Sequence, residues 1–473
     1  MAGPGGPTFD VAVVGAGVVG CAVARDLAVA GADVVVLDRA DDVGDGTSKA
    51  NTAILHTGFD TVPGTLESRL VSHGHELLAA YASAAGIAVE RTGALLVAWD
   101  EEQEARLPDL VAKAATNGCT DTEPVDAGEV RRREPHLGPG ARSGLLVPGE
   151  WAVDPWSVTL AFATEAVRAG AVLRLATPVL GVGTGDAGHE IQVPDGVVRA
   201  RWLVNAAGLG ADTVDRMLGC DDFTVTPRRG QLVVFDKLAR RLVSHILLPV
   251  PTDRTKGVLV SPTVWGNVLL GPTAEDLGDR GDTATTSDGL AGLLAAGRRI
   301  LPPLAGEEVT ASYAGLRAAT GRRDYQIRLH VDLRYVTVGG IRSTGLTASP
   351  AIAEYVADLL ERAGARWRGA PVATRVPSVP PLGEAQTRPL QDPVAIAGDP
   401  AYGTALCHCE QVSRGEVRDA CHGDVPATGL GGVRRRTRAM NGRCQGFYCA
   451  AAVVSLVAAE TGTDPDVLTR VPR

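Results

Sequence analysis

The stretch "FDVAVVGAGVVGCAVARDLAVAGADVVVLDRAD" (residues 9–41) decides the fold class. Residues 11–14 are apolar and mostly β-branched, the pattern of a strand buried on both faces. Gly15, Gly17 and Gly20 then complete G-x-G-x-x-G. The residues that follow have helical length and close at Gly31, a residue suited to a helix C-terminus. A second apolar run, residues 34–37, ends on Asp38. Gly15 permits a tight turn, Gly17 lets the backbone approach a pyrophosphate, and Gly20 lets helix and strand pack closely. The helix start offers free N–H groups and a positive dipole end to phosphate. Asp38 can accept hydrogen bonds from a ribose diol. Strand, glycines, helix and acid together predict a Rossmann-like α/β unit that binds a dinucleotide. FAD and NAD both remain open at this point.

The chain has 473 residues, 45% of them apolar and 21% charged, which predicts a globular protein of two or three domains. A formal charge of −9 lacks the basic footprint of a nucleic-acid binder. No run reaches the roughly 20 apolar residues of a membrane span. Residues 1–9 are too short and polar for a signal peptide. A cytoplasmic location is therefore expected, with the eight cysteines reduced or ligating metal. Cys21, Cys119, Cys220 and Cys421 are scattered and read as inert thiols.

Two later segments repeat the strand–glycine–helix pattern. One is "ARWLVNAAGLGAD"; the other is "RYVTVGGIRSTGLTASPAIAEYVADLL", with Gly339 and Gly340 after a strand and Gly345 opening a helix. They suggest one cofactor domain assembled from distant segments, with a second domain inserted between them. The stretches "DVAVVGAGVVGCAVARDLA", "SKANTAILHTGFD", "PGTLESRLV", "YAGLRA" and "GGIRSTGLTASPAIAEYV" resemble FAD enzymes of the D-amino-acid-oxidase-like superfamily. Within it the chain is most similar to FAD-dependent glycerol-3-phosphate dehydrogenases and to L-2-hydroxyglutarate oxidases.

The resemblance implies FAD rather than NAD. It also implies an FAD domain over residues 8–85, 145–212 and 320–365, with an inserted mixed α+β substrate domain over 86–144 and 213–319. Beside Gly15, Gly17, Gly20 and Asp38, the cofactor-binding residues it implies are Arg39, Thr47, Ser48, Asn51, Val179, Ala207, Gly208, Gly340, Gly345, Leu346 and Thr347.

Oxidising an alcohol by hydride loss also removes the hydroxyl proton, and a histidine is suited to take it. The resemblance puts His56 on the substrate face of the flavin. It points Lys256 into the substrate site, places Arg317 of "YAGLRAAT" on the substrate's anionic group, and sets Ser343 beside the flavin. Arginine's planar fork suits phosphate or carboxylate. His73 and His75 read as surface or helix residues. The "ATGRRDYQI" that follows "GLRA" departs from the usual Lys-Pro-type turn, so Arg322 and Arg323 are either a further anion clamp or a turn.

Residues 366–400 are proline-rich and read as a surface linker. Residues 401–473 form a small module with a C-x-C pair, Cys407 and Cys409, and a C-x4-C pair, Cys444 and Cys449. Spacing alone leaves a structural zinc and an iron–sulfur cluster open. The motifs "CHCEQV" and "RRTRAMNGRCQGFYC" resemble the bacterioferritin-associated-ferredoxin-type [2Fe–2S] domain, which implies a small helical domain with these four cysteines as ligands. The basic cluster at residues 434–438 is expected to face the metal cluster or a partner.

The expected activity is oxidation of sn-glycerol 3-phosphate to dihydroxyacetone phosphate, with electrons leaving through the cluster. The alternatives are a 2-hydroxy acid such as L-2-hydroxyglutarate or another polyol phosphate, an amine or imino acid, or a non-enzymatic subunit. Expected partners are a small anionic substrate and an electron-acceptor protein or further dehydrogenase subunits. These could hold the protein peripherally at the inner face of the cell membrane. Self-association remains open.

Overall fold

A computed structural model describes residues 8–251 and 257–469. Alternating side chains organise the first sheet. The strand Thr8–Val14 lies between Val34–Leu37 and Gly196–Asn205, all parallel, with Val172–Arg174 and Tyr335–Gly339 extending the parallel run at its two ends. Val11, Val13, Val34 and Val36 point to one face, where the helices Val18–Val29, Leu66–Ala85, Pro155–Arg168 and Gly345–Arg362 cover them. Ala12, Val14, Val35 and Leu37 point to the other, where they pack with residues of the antiparallel strands Gly188–Val193 and Gly196–Asn205. Burial on both faces is why these strands read as continuous apolar runs.

The second sheet is mixed and nine-stranded. Its longest pairing joins Val225–Phe235 to Val309–Thr320. A hairpin turning at Gly266 and Asn267 joins Leu259–Pro262 to Val268–Gly271. Ser143–Val147 pairs with Ala94–Ala98 in this sheet. Residues 145–147 therefore sit with the substrate domain rather than the cofactor domain, a boundary set by a cross-strand partner about fifty residues upstream.

The proline-rich segment is more than a linker. Gly369 N–H donates to Gly31 O, Val372 N–H to Val29 O, Val379 N–H to Ala85 O and Glu384 N–H to Val264 O. It runs as a strap over both domains, buries Val379, Leu382 and Arg388, and contains a short helix, Pro393–Gly398.

The C-terminal module packs the helices Arg414–Ala420, Leu430–Thr437 and Ala450–Thr461 around Val417, Val433, Val453 and Val457. Most of the basic cluster is engaged within the chain. Buried Asp42, four residues past Asp38, accepts from Arg435 (2.6 Å) and from both Arg436 Nη1 and Nη2 (2.7 Å each), while Arg435 also reaches Asp45. Arg438 stacks 4.6 Å above the Trp265 ring, and Trp265 stacks on Trp156 at 4.4 Å. Arg435 and Arg436 dock the module on the segment after Asp38, while Arg438 reaches Trp265 and pairs with Glu410 beside Cys409. Arg434 alone lies on the cysteine side, where the Cys449 thiol acts on it.

Candidate active site

Three glycines shape the cradle at the start of the first helix. A Cβ on Gly15 would come within 2.4 Å of Ala206 O, and one on Gly20 within 1.9 Å of Gly15 O. A side chain at either position would push strand and helix apart. A Cβ on Gly17 would meet only Ser48 Oγ, at 3.3 Å, so the backbone there is open to an approaching group. Gly17 caps the helix without a side-chain hydrogen bond, and Val18 N–H donates to Ser48 Oγ (3.0 Å). Asp38 aims one oxygen at Ala16 N–H (2.6 Å) and the other at Ala40 N–H (2.8 Å). Burial raises its pKa despite these two donors. A phosphate-sized opening at a helix start, with a carboxylate beside it, fits the pyrophosphate and ribose of FAD.

The other residues implied for the cofactor fall into two groups. Ser48, Asn51, Ala207, Gly208 and Thr347 lie on segments that contact this cradle or His56: Asn51 Nδ2 donates to Ser48 O, and Ala207 follows Ala206 at the end of its strand. Thr47 Oγ1 donates to Leu316 O, and so ties the loop to the strand that carries Arg317. Val179 packs beneath the sheet with Ala12 and Val14. Arg39 is exposed. Gly340 takes a positive φ of 68°, and Gly345 and Leu346 open the helix Gly345–Arg362.

His56 owes its place to strand register. Ile54–Leu55 pairs antiparallel with Trp151–Val153, matching Ile54 to Ala152 and Leu55 to Trp151. The next step of that register sets His56 opposite Glu150. His56 Nδ1 lies 2.9 Å from Glu150 Oε2, and Glu150 Oε1 accepts from Thr57 N–H (2.6 Å) and Thr57 Oγ1 (2.8 Å). Glu150 is fully buried, whereas the His56 side chain is 24% exposed. His56 N–H donates to Thr347 Oγ1 (2.9 Å). Sequence reasoning missed Glu150. Its one signal was an acid standing between two apolar runs in "LLVPGEWAV".

Arg317 lies near the end of Val309–Thr320. Its guanidinium crosses Gly230, where a Cβ would meet Nη2 at 2.9 Å. Its hydrogen bond to protein is a long one, Nη1 to Thr273 O at 3.4 Å. Among the described residues no carboxylate forms an ion pair with it. Burial, with Arg228 adding, lowers its pKa. A half-buried cation with no carboxylate partner among the described residues is suited to receive an anion. Gly315, two residues earlier, lies so close to the cofactor loop that a Cβ would sit 2.1 Å from Ala50 O.

Ser343 is exposed in the bend before the helix; the hydroxyl that meets His56 is Thr347's. Lys256 lies outside the described residues. His73 is exposed and pairs with Glu354, while His75 is half-buried and donates from Nε2 to Gly149 O. Arg322 and Arg323 are exposed in a turn, with Arg322 donating to Asp222 O. Cys21, Cys119 and Cys421 are buried; Cys220 is half-exposed, with Sγ 3.8 Å from His330 Nδ1.

The four module cysteines form two contacting pairs, Cys409 with Cys444 and Cys407 with Cys449. The Cys444 thiol is held below its ordinary pKa, most by the Tyr448 N–H, with the Cys409 thiol and the N–H groups of Gly446 and Phe447 adding. Backbone donors aimed at a sulfur suit a thiolate ligand. Among the described residues no set of three or more His, Cys, Asp or Glu is arranged to hold a single ion. Two thiol pairs with N–H donors fit a four-thiolate [2Fe–2S] cluster better than a zinc site.

Fold and site define a flavin-dependent oxidoreductase with an iron–sulfur module. Residues 10–359 match the family described as FAD dependent oxidoreductase, and residues 405–459 match the BFD-like [2Fe-2S] binding domain. The chain belongs to the FAD dependent oxidoreductase family. It is 34% identical over 461 residues to the glycerol 3-phosphate dehydrogenase of Caloramator mitchellensis, covering 96% of this chain and 95% of that one. It is 31% identical to the glycerol 3-phosphate oxidase of Mycoplasma pneumoniae, over 75% of this chain and 94% of the oxidase. The solved structure of the dithionite-reduced L-alpha-glycerophosphate oxidase from M. pneumoniae, with FAD bound, superposes with a TM-score of 0.73 at 30% identity, over 79% of this chain and 98% of that one. Among the described residues no helix is long and apolar enough to cross a membrane.

Proposed function

We propose that the protein oxidises sn-glycerol 3-phosphate to dihydroxyacetone phosphate and passes the electrons to a separate acceptor. The observation that carries the substrate class is Arg317, a half-buried guanidinium without a carboxylate partner among the described residues, on a strand tied to the cofactor loop at Thr47. It holds the phosphate. His56 takes the proton of the C2 hydroxyl. Bound FAD supplies the hydride acceptor and the bound cluster a one-electron outlet. A dehydrogenase is favoured over an oxidase by coverage: the M. pneumoniae oxidase is matched almost throughout by 75% of this chain, whereas the C. mitchellensis dehydrogenase is matched through 96%. The acceptor is a redox protein or a further subunit, and the protein can work at a membrane face through it.

Anaerobic flavin bleaching with a substrate panel tests this. Glycerol 3-phosphate is expected to bleach fastest. Faster bleaching by L-2-hydroxyglutarate or by an amino acid would overturn the substrate assignment. Reduction by a partner protein alone would support a non-enzymatic subunit.

A further inference from the structure

The His56–Glu150 contact is built as a unit, and it recruits a residue that no motif marks. Three donors converge on the buried carboxylate: Thr57 N–H and Thr57 Oγ1 on Oε1, and the imidazole on Oε2. An ionised carboxylate can only accept, so the ring nitrogen facing it, Nδ1, carries the hydrogen. Nε2 is then the basic nitrogen. The residue is held opposite Glu150 by its backbone, because strand pairing places the preceding residues and Thr347 Oγ1 accepts the His56 N–H.

We propose that Glu150 is a positioning residue for His56: it holds the imidazole in the Nδ1–H tautomer and stabilises the imidazolium that forms when Nε2 takes the substrate's hydroxyl proton. The proposal rests on the reading of the reaction as alcohol oxidation. The balance is complete. The C2–H bond breaks with its electron pair going to bound FAD, the O–H bond breaks with its proton going to Nε2, and the carbonyl C=O forms. Glu150 stays ionised throughout.

Replacing Glu150 by glutamine tests this with little change of shape. Thr57 N–H can only donate, so it keeps the amide oxygen on its own side. The amide NH2 then faces Nδ1, which must accept, and the hydrogen moves to Nε2. E150Q is thus expected to invert the tautomer. Flavin reduction should slow by up to about 10,000-fold, the size of effect that follows from a wrong tautomer in a comparable histidine–carboxylate pair. Dihydroxyacetone phosphate, a product that needs no base, should bind within about threefold of wild type, because uniform binding is untouched.

The pH profile gives a second readout. The base works when neutral, so activity falls as His56 gains a proton on the acid side. Loss of the facing negative charge makes that proton easier to remove, and the acid limb should move to lower pH. Among the described residues, the other titratable groups around the pair are His75, whose Nε2 lies 2.9 Å from Gly149 O; Cys119, whose Sγ donates to Thr57 O; and Asp60 and Asp121, which act on Cys119 together with Glu150. Their titrations remain in E150Q and cannot mimic a shift between the two proteins.

The tautomer can be read without turnover, by nitrogen-15 NMR of histidine-labelled protein, with H56Q identifying the resonance. Wild type should show Nδ1–H and E150Q Nε2–H. Equal tautomers in both proteins, or flavin reduction within threefold of wild type with an unmoved acid limb, would overturn the proposal. The substrate reading fails separately, if glycerol 3-phosphate does not bleach the wild-type flavin. The two proteins are then compared with whichever panel substrate does, and by the tautomer measurement. E150A leaves Thr57 N–H buried and unpaired, so its melting temperature serves only to gauge the structural share of the contact.

Discussion

At the scale of single residues, the site trades stability for binding. Arg317 holds a charge in a half-buried position with one long hydrogen bond and no ion-pair partner among the described residues. A cation whose pKa is lowered by folding opposes folding wherever it stays charged, which includes neutral pH. Arg317→Met is therefore expected to raise the melting temperature of the substrate-free protein. The same change should cut kcat/KM for glycerol 3-phosphate roughly 10- to 100-fold, the worth of one or two charge-assisted hydrogen bonds. A lowered melting temperature would mean that the guanidinium is structurally paired. Arg317 and His56 were legible because each sits in a short motif. Glu150 was not, because its importance is a contact 94 residues away along the chain. No local pattern marks an acid that will face a histidine across two short strands. Asp42 is the same case, since its arginines lie nearly four hundred residues downstream.

At the scale of elements, local periodicity carried the reading well and cross-sheet pairing defeated it. The first βαβ unit was legible because strand and helix patterns are each complete within a dozen residues; its helix runs Val18–Val29, with Gly31 at a φ of 94° just beyond. The helix Leu430–Thr437 was not legible, because it opens on glycines and continues in arginines whose apolar stems and charges are satisfied by another domain. The boundary at residue 145 was misplaced for a related reason: a five-residue apolar strand does not announce which sheet it joins. The strand carrying Arg317 meets the cofactor loop at Gly315, where no side chain fits. Gly315→Ala should force strand and loop apart at a cost of about 1–3 kcal/mol, the usual penalty of overpacking. Thermal unfolding and flavin release on gel filtration would measure it. An alanine variant that melts and retains flavin like wild type would show that the approach is looser than these distances.

At the scale of the molecule, the two cofactor modules are joined by a buried ionic contact rather than by a flexible tether. Burial alone would raise the Asp42 pKa, but the guanidiniums of Arg436 and Arg435 outweigh it and hold the carboxyl below its usual range. The stability this contributes is therefore fully present above the ordinary carboxylate pKa and is lost only as pH falls through the lower, folded value. The docked state should persist at neutral and mildly acidic pH. Asp42→Ala leaves the buried Arg436 guanidinium without a carboxylate and Arg435 with Asp45 alone, which costs about 3–5 kcal/mol. Hydrogen exchange across residues 405–459 should rise in that variant while the wild-type module stays protected. Unchanged exchange would mean that the strap and the Arg438–Trp265 stack suffice. From Trp265 the packing continues through Trp156, whose Nε1 donates to Lys49 O, into the loop that bears Thr47 and Ser48. The cluster module thus rests against the segment expected to hold the flavin, as an internal electron outlet requires. The most direct test of that central claim is an anaerobic titration of the FAD- and cluster-loaded protein with sn-glycerol 3-phosphate. Flavin accepts two electrons and the cluster one, so both absorption bands should bleach together and finish near about 1.5 equivalents of substrate. Bleaching of the flavin alone, complete near about one equivalent with the cluster still oxidised, would contradict the account.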